Sequence, residues 1–452
     1  MAPLRTKQKD SKEEHSVLNP RTTSYEFSGP WGTFFIMLVV PIIIYGLYFG
    51  CSEETGGCPP NLSLAISSIA TIGTQSVDVA GITSKLWGKL WDAEAMLYYL
   101  AWYLFCVICW AVLPGEYVEG RPMRNGQVKR YKANAFQTFL LSLALASAYI
   151  IQFGPDSFTF VYHKWVGFIT ASIIMAFIQA GFVYVMSFRP GKLLALGGNT
   201  GNHVYDFFIG RELNPSIGSF DIKSFNELRP SLITWAFIDI SMACEQAVRR
   251  GGWGNVTDSM WIVLIGQIWY IGDALWNEPA LFTTMDIISD GFGYMLSVGV
   301  LSWIPFTFSV QARYLVFRQR ELGHLVSGMI LLMHFVGYWI FRESNNEKNE
   351  FRNGKNPKNL KFLTTNSGSK LLISGWWGLS RHPNYLGDLL MALSWSLPTG
   401  FETPITYFYI TYFTILLVHR ERRDDDHCAK KYRDDWKKYK ALVPYKIVPY
   451  VY

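Results

Sequence analysis

Eight stretches of this chain are apolar over about the length needed to cross a bilayer: 31–49, 95–113, 135–153, 161–187, 231–247, 259–281, 292–312 and 322–341. About twenty such residues suffice, because a helix satisfies its own backbone hydrogen bonds where no water can. Two further stretches are weaker. Residues 61–80 are diluted by Ser, Thr and Gln, and 389–418 is broken by Pro398, Gly400 and Pro404. That second pattern favours a hairpin of half-helices over one straight span. The reading is an all-α polytopic membrane protein of about ten transmembrane helices. Half of the 452 residues are hydrophobic and only 17% are charged, against a usual quarter, which sets aside a large soluble helical protein.

The first thirty residues are polar and lack an apolar core behind a short basic head, so they do not read as a cleavable signal peptide. Segment 31–49 would then serve as signal and anchor together. Arg5, Lys7, Lys9, Lys12 and Arg21 in the tail, and Arg121, Arg124, Lys129, Arg130 and Lys132 in loop 114–134, place both on the cytosolic side. Loop 50–60 has neither Lys nor Arg and belongs opposite. Strict alternation over ten spans breaks this rule at 114–134, so span parity stays open. Cys51 and Cys58 flank a short loop and can pair in an oxidising lumen, whereas Cys106 and Cys109 sit in an apolar span and read as helix packing. The expected organisation is a polar tail, 1–30, and one multi-span domain, 31–452. Within the domain, 31–230 supplies N-terminal spans and 231–452 a polar, ligand-binding half.

Polar side chains beside membrane segments are costly unless they bind something. Residues 375–388 and 419–432 hold dense clusters of Arg, His, Asn, Tyr and Asp on either side of 389–418. Their fixed charges are mostly cationic, so the ligand should be anionic. Lys348 and Arg352 share a helix face at a spacing of four and can clamp a phosphate; the alternative is a solvated loop pairing with Glu347 and Glu350. Arg420, Asp424 and Cys428 repeat that spacing. Trp376 and Trp377 either belong to an interfacial belt or stack on a flat ring. Beside Arg381, His382, Asn384, Tyr385 and Asp388, the second fits a nucleotide: phosphates for Arg and Lys, hydroxyls for Asp and Asn, a base for Trp or Tyr. No Gly-x-Gly-x-x-Gly or Gly-Lys-Ser/Thr loop marks a soluble nucleotide fold. No His/Cys set has zinc or haem spacing, so no metal is expected. A second polar island ends an apolar segment, with Tyr270, Asp273 and Asn277 on one helix face and Glu278 next. A carboxylic acid in apolar surroundings can keep its proton; alternatively Glu278 sits at a wet helix end.

Two motifs then point to a family. Gly201-Asn202-His203-Val204-Tyr205-Asp206-Phe207-Phe208-Ile209-Gly210-Arg211-Glu212-Leu213-Asn214-Pro215 is the first, with Ser216 where Arg is usual. Leu417 to Tyr432 is the second, with Arg433 where Gly is usual. Together they resemble the sterol reductases of the endoplasmic reticulum, a family that includes sterol C14-, C7- and C24(28)-reductases and the membrane half of the lamin B receptor. The resemblance runs from about residue 25 to the end, and segments 220–230 and 276–280 look most like fungal C14 reductases.

The resemblance implies NADPH as cofactor. Its contacts would fall on Lys348, Arg352, Leu372, Trp377, Asn384, Tyr385, Asp424, the run Cys428, Ala429, Lys430, Lys431, Tyr432, and Tyr439; His382, Asp388 and Arg420 join them from the residue reading. Tyr270 matches the proton-donor region, with Asp424 near the nicotinamide half and Asp273 or Glu278 behind Tyr270. The implied reaction protonates C15 of an 8,14-diene and delivers hydride to C14, in ergosterol biosynthesis. The sterol would come from membrane lipid, in the endoplasmic reticulum, with a cytosolic C-terminal tail. Contacts with other sterol-biosynthesis enzymes are implied and nucleic acid is not. Rival readings are reduction at C7 or C24(28), a lamin-receptor-like scaffold, and a transporter. The scaffold calls for a long basic N-terminal domain, for which thirty residues leave no room. The transporter calls for broken helices in both halves, and breaks occur only near the C-terminus.

Overall fold

The computed structural model describes residues 18–53, 57–58, 88 and 90–452, and these are mostly helical. The weak segment 61–80 lies outside the described residues, as does the tail before residue 18. Two compact units emerge, one of 1–256 with 267–317, the other of 257–266 with 318–452.

The first unit begins with α1 (Gly29–Phe49) and α2 (Ala93–Val112). The Asp92 carboxylate starts α2 by accepting from the Glu94 and Ala95 amides at 2.9 and 3.0 Å. The basic loop 114–134 is a hairpin, β1 (Glu116–Pro122) against β2 (Val128–Ala133). Helices α3 (Ala135–Phe153) and α4 (Trp165–Met186) follow. The first motif then forms a polar loop around the short α5 (His203–Ile209). Asn202 caps the Tyr205 amide at 3.0 Å, and Asp206 accepts from the Thr200 and Gly201 amides at 2.9 Å each. A two-residue pair, β3 (Ser216–Ile217) with β4 (Phe220–Asp221), closes the loop. Lys129 from β2 reaches both Ser216 and Asp221 there. A cation therefore stands at this corner even though the motif's last residue is Ser216 rather than Arg.

Segment 231–247 appears as α6 (Thr234–Arg249), of 16 residues, which buries Asp239, Glu245 and Gln246. Segment 259–281 appears as α7 (Asp258–Trp276), whose exposed Trp261, Ile265, Trp269 and Trp276 form an apolar stripe at near-helical spacing. Helix α8 (Tyr294–Phe317) closes the unit and contains a π-turn over Gly299–Trp303. Cys51 and Cys58 form a disulfide, and the Arg313 guanidinium from α8 contacts the Cys51 carbonyl while lying 4.1 Å from the Tyr48 ring centroid.

The second unit is built on α9 (His324–Arg352). Two strands follow, β5 (Phe362–Thr364) and β6 (Lys370–Leu372), paired antiparallel. Then come α10 (Pro383–Ser394), α11 (Phe408–Tyr432) and α12 (Asp434–Leu442). Helices α9 and α10 touch backbone to backbone. A Cβ on Gly337 would lie 2.8 Å from the Gly387 carbonyl oxygen, and one on Gly387 would lie 2.6 Å from that of Gly337. Small residues permit this approach in apolar surroundings. Segment 389–418 is two helices: α10 ends, a 3-10 turn spans Leu397–Thr399, Gly400 takes φ +72, and α11 begins at Phe408.

Six helices are long and apolar enough to cross a membrane among the described residues: α1, α2, α3, α4, α8 and α9. The protein is a helical, multi-pass membrane protein.

Candidate functional site

The second unit holds a cavity of about 680 Å³. Four pieces of chain wall it. The last turn of α9 supplies Lys348 and Arg352; the β5–β6 hairpin supplies Lys370 and Leu372. Trp377, Arg381 and His382 come from the segment before α10. The far wall is α11 with Glu421, Asp424, Cys428, Lys431 and Tyr432, continued by Trp436 and Tyr439 of α12. Positions 421, 424, 428 and 431–432 recur every three or four residues, which puts them on one helix face.

Local structure fixes each wall. Gly375, at φ +66, turns the chain against Glu347, whose carboxylate a Cβ there would meet at 2.5 Å. That carboxylate accepts from the Trp376 amide at 2.9 Å. The turn delivers Trp377, whose indole N–H donates to the Ser344 carbonyl at 2.8 Å. The Lys348 ammonium then lies 3.6 Å from the Trp377 ring centroid. On the opposite wall Trp436, Tyr439 and Val443 form an apolar cluster with Leu363, Leu371 and Ile373 of the hairpin region. The Trp436 and Tyr439 rings stack at 5.0 Å. The C-terminal segment folds back: the Arg381 and His382 amides donate to the Tyr445 and Lys446 carbonyls at 2.9 and 2.8 Å.

The charge balance is cationic. Glu421 is fully buried and accepts from Lys446 at 3.1 Å and Arg381 at 3.5 Å. Asp425 accepts from the Trp436 indole at 2.9 Å and pairs with Lys440 at 3.3 Å. These two acids are consumed internally. Lys348, Arg352, Lys370 and Lys431 make no ion pair within 4.0 Å among the described residues, and three of them lie over aromatic rings instead. His382 adds no charge: burial, then Lys348 and Arg381, push it down to about 3. Burial pushes the Tyr439 phenol up to about 12 and raises the Cys428 thiol, so both stay neutral. The result is a concave, partly aromatic site with four uncommitted cations, suited to a ligand with phosphates and a flat ring.

Of the expected cofactor residues, Lys348, Arg352, Leu372, Trp377, His382, Asp424, Cys428, Lys431, Tyr432 and Tyr439 come together around this cavity. Asn384, Tyr385, Asp388, Arg420, Ala429 and Lys430 are outside its lining. Tyr385 reaches it through His382, on which its ring stacks at 4.7 Å; Asn384 donates to Asn345 at 3.4 Å; Ala429 and Lys430 are on the exposed face of α11. Lys370 and Trp436 line the cavity and were not singled out from sequence. The turn Asn366-Ser367-Gly368 between short apolar strands is the signal that would have found Lys370.

The expected proton-transfer residues, Tyr270, Asp273 and Glu278, are in the first unit. Tyr270 is half-buried on α7, its ring 6.1 Å from that of Trp235. Asp273 receives the Asn277 amide on its backbone carbonyl at 2.8 Å. Glu278 is fully engaged. It pairs with buried Arg229 at 3.1 Å and accepts from the Ala135 amide at 2.7 Å, capping α3. Arg229 also donates to Asn134 at 2.6 Å. Among the described residues, no three His, Cys, Asp or Glu side chains are placed to hold a metal ion.

The model of the ergosterol biosynthesis ERG4/ERG24 family matches residues 21–452. The chain is 43% identical over 432 residues to delta(14)-sterol reductase erg24 of Schizosaccharomyces pombe, covering 95% of this chain and 97% of that protein. It is 43% identical over 464 residues to delta(14)-sterol reductase ERG24 of Candida albicans, covering 97% and 99%. To delta(14)-sterol reductase TM7SF2 of Mus musculus it is 40% identical over 433 residues, covering 94% and 97%. These matches span the cationic cavity as well as the membrane helices, and the chain belongs to the ERG4/ERG24 family of sterol reductases.

Proposed function

We propose that this protein is an NADPH-dependent delta(14)-sterol reductase of the endoplasmic reticulum membrane, with about ten membrane segments and a cytosolic C-terminal tail. It would reduce the C14=C15 bond of sterol 8,14-dienes. The observation that carries the cofactor assignment is the cavity at Lys348, Arg352, Lys370 and Lys431, which make no ion pair within 4.0 Å among the described residues. The near full-length identity to enzymes named for this reaction supports the double-bond assignment.

When bound, NADPH supplies a hydride. Lys348 and Arg352 would hold its 2′-phosphate, Lys370 and Lys431 its other phosphates, and Trp436 with Tyr439 the flat base. Asp424, which makes no ion pair within 4.0 Å among the described residues, would take a ribose or amide group. An isolated sterol alkene is not electrophilic, so a proton must arrive first. Tyr270 delivers it to C15 and leaves an allylic cation at C14. Asp273 is the source behind Tyr270, since Glu278 is occupied by Arg229 and the α3 amide. Aromatic faces and carboxylates around the sterol would stabilise the cation at C14.

Incubating the purified protein with an 8,14-dienol and NADPH tests the proposal. Mass spectrometry should show the 14,15-saturated sterol forming with consumption of one NADPH. Reduction only at C7 or C24(28), or no conversion, would refute it.

A further inference from the structure

The cationic cavity must accept an anion, yet a carboxylate stands behind its α11 wall. Glu421 belongs to the lining, but its side chain is 0% exposed. A charge in that position acts on a ligand through space rather than by contact, and left uncompensated it would repel phosphates. Three groups surround it: the Lys446 ammonium at 3.1 Å, the Tyr452 hydroxyl at 3.4 Å and the Arg381 guanidinium at 3.5 Å. Arg381 is divided, since it also donates to the Val443 and Pro444 carbonyls at 3.3 and 3.4 Å. Lys446 is the closer of the two cations, and it donates to the Tyr452 hydroxyl at 3.2 Å as well. Neither Lys446 nor Tyr452 lines the cavity, and the mechanism above uses neither.

Main-chain bonds hold this pair in place. The Tyr452 main-chain oxygen accepts from the Lys446, Ile447 and Val448 amides at 2.8, 2.9 and 3.2 Å, which closes 446–452 into a ring. Ile447, 2% exposed, anchors that ring in the interior. The Tyr445 and Lys446 carbonyls receive the Arg381 and His382 amides, so the segment is tied to two residues of the cavity lining. The Lys446 ammonium lies 4.8 Å from the Tyr452 ring centroid, which narrows its freedom further.

We infer that Lys446 is a positioning residue for cofactor affinity that acts through Glu421: with the Tyr452 hydroxyl, it neutralises a buried carboxylate that would otherwise repel the phosphates of the ligand. The inference rests on the NADPH reading above. Taking away one unit charge about 10 Å from a phosphate, at an effective dielectric of about 20 and with salt screening, weakens binding roughly five- to fifteenfold. Such a repulsion scales with the charge of the ligand, whereas slackened packing does not. NADPH carries one phosphate more than NADH and should therefore lose more.

Equilibrium binding of NADPH and NADH to the purified full-length protein in detergent, read by nicotinamide fluorescence, tests this without reading turnover. Lys446→Met should raise the NADPH Kd about five- to fifteenfold and the NADH Kd only about two- to fourfold. Lys446→Arg, which keeps the charge, should bind both as the parent does. Adding Glu421→Gln to Lys446→Met should bring both constants back to within about twofold of the parent. Thermal melts show which variants fold, and Lys446→Gln, which removes the charge but keeps a donor, carries the test if Lys446→Met does not. An unchanged NADPH Kd in the charge-removing variant, equal losses for the two cofactors, or no recovery on adding Glu421→Gln would each overturn the inference while leaving the cofactor reading intact. A parent protein that binds neither cofactor would overturn both.

Discussion

Replacing Lys348 and Arg352 separates the two nicotinamide cofactors. Both side chains line the cavity one turn apart at the end of α9, and neither has a carboxylate partner among the described residues. The two differ in setting. Lys348 is half-buried over Trp377, at 3.6 Å, whereas Arg352 is exposed. A charge-assisted hydrogen bond in a sheltered place nets about 1.5–3 kcal/mol. Taking about 2 kcal/mol for Lys348 gives roughly a 30-fold loss of NADPH affinity, at about 1.4 kcal/mol per factor of ten. Arg352, screened by water, contributes about 0.5–1 kcal/mol, or roughly two- to fivefold. The double alanine variant should therefore lose about 100-fold for NADPH, and less than about threefold for NADH, which has no 2′-phosphate. Lys348→Met is the control for packing: it keeps an apolar stem against the Trp377 ring and should lose affinity almost as Ala does. Equilibrium binding by nicotinamide fluorescence in detergent reads both cofactors. Equal losses for NADPH and NADH would refute the placement of these residues at the 2′-phosphate. Full affinity in Lys348→Met, with loss only in Lys348→Ala, would reduce Lys348 to a prop for Trp377.

Tyr270→Phe removes only a hydroxyl and should abolish conversion of a 14-ene sterol while leaving NADPH binding intact; near-normal turnover would move the proton donor elsewhere. Glu278→Ala strands Arg229, which is 1% exposed, and should cost about 3–5 kcal/mol; the melting temperature should fall sharply and recover in part with Arg229→Met added, and an unchanged melt would contradict the buried pair. The folded protein holds His382 near 3, against the usual 6.5 of a free imidazole. Below about pH 6.5 the unfolded chain takes up a proton that the folded one refuses. Stability should decline as pH falls from there toward 3, and His382→Gln should flatten that decline in thermal melts. Cysteines placed at Lys355 and Tyr445 in sealed microsomes should both label from the cytosolic side; lumenal labelling at both would contradict the proposed topology.

Sequence periodicity located helices well wherever a run was uniformly apolar: 31–49, 95–113 and 135–153 return as α1, α2 and α3 within a few residues. The break of 389–418 into two helices was legible because Pro398, Gly400 and Pro404 each remove a helical option. The cationic cavity was half legible. Residues on α11 share a face at a spacing that can be counted along the chain. The hairpin carrying Lys370 is only three residues a side, too short for alternation to register. The partner of Glu278 is Arg229, 49 positions away in sequence, and helix end and ion pair look alike until the fold joins them. The same holds for α6: its buried Asp239 and Gln246 fit a core helix as well as a span, and composition does not say which neighbours will cover them.

The crossing of α9 and α10 acts as a fulcrum. Lys348 is eleven residues beyond Gly337, a lever arm of about 16 Å at 1.5 Å per residue. His382 and Gly387 are five residues apart on the other limb. With backbones in contact there is no side-chain layer to absorb a change of angle. Tilting α9 by about 5° around that point would swing Lys348 by about 1.4 Å, enough misplacement to cost a bound group much of its contact. A methyl group added at Gly337, deep among apolar helices, should therefore present itself in assays as a cofactor-affinity defect.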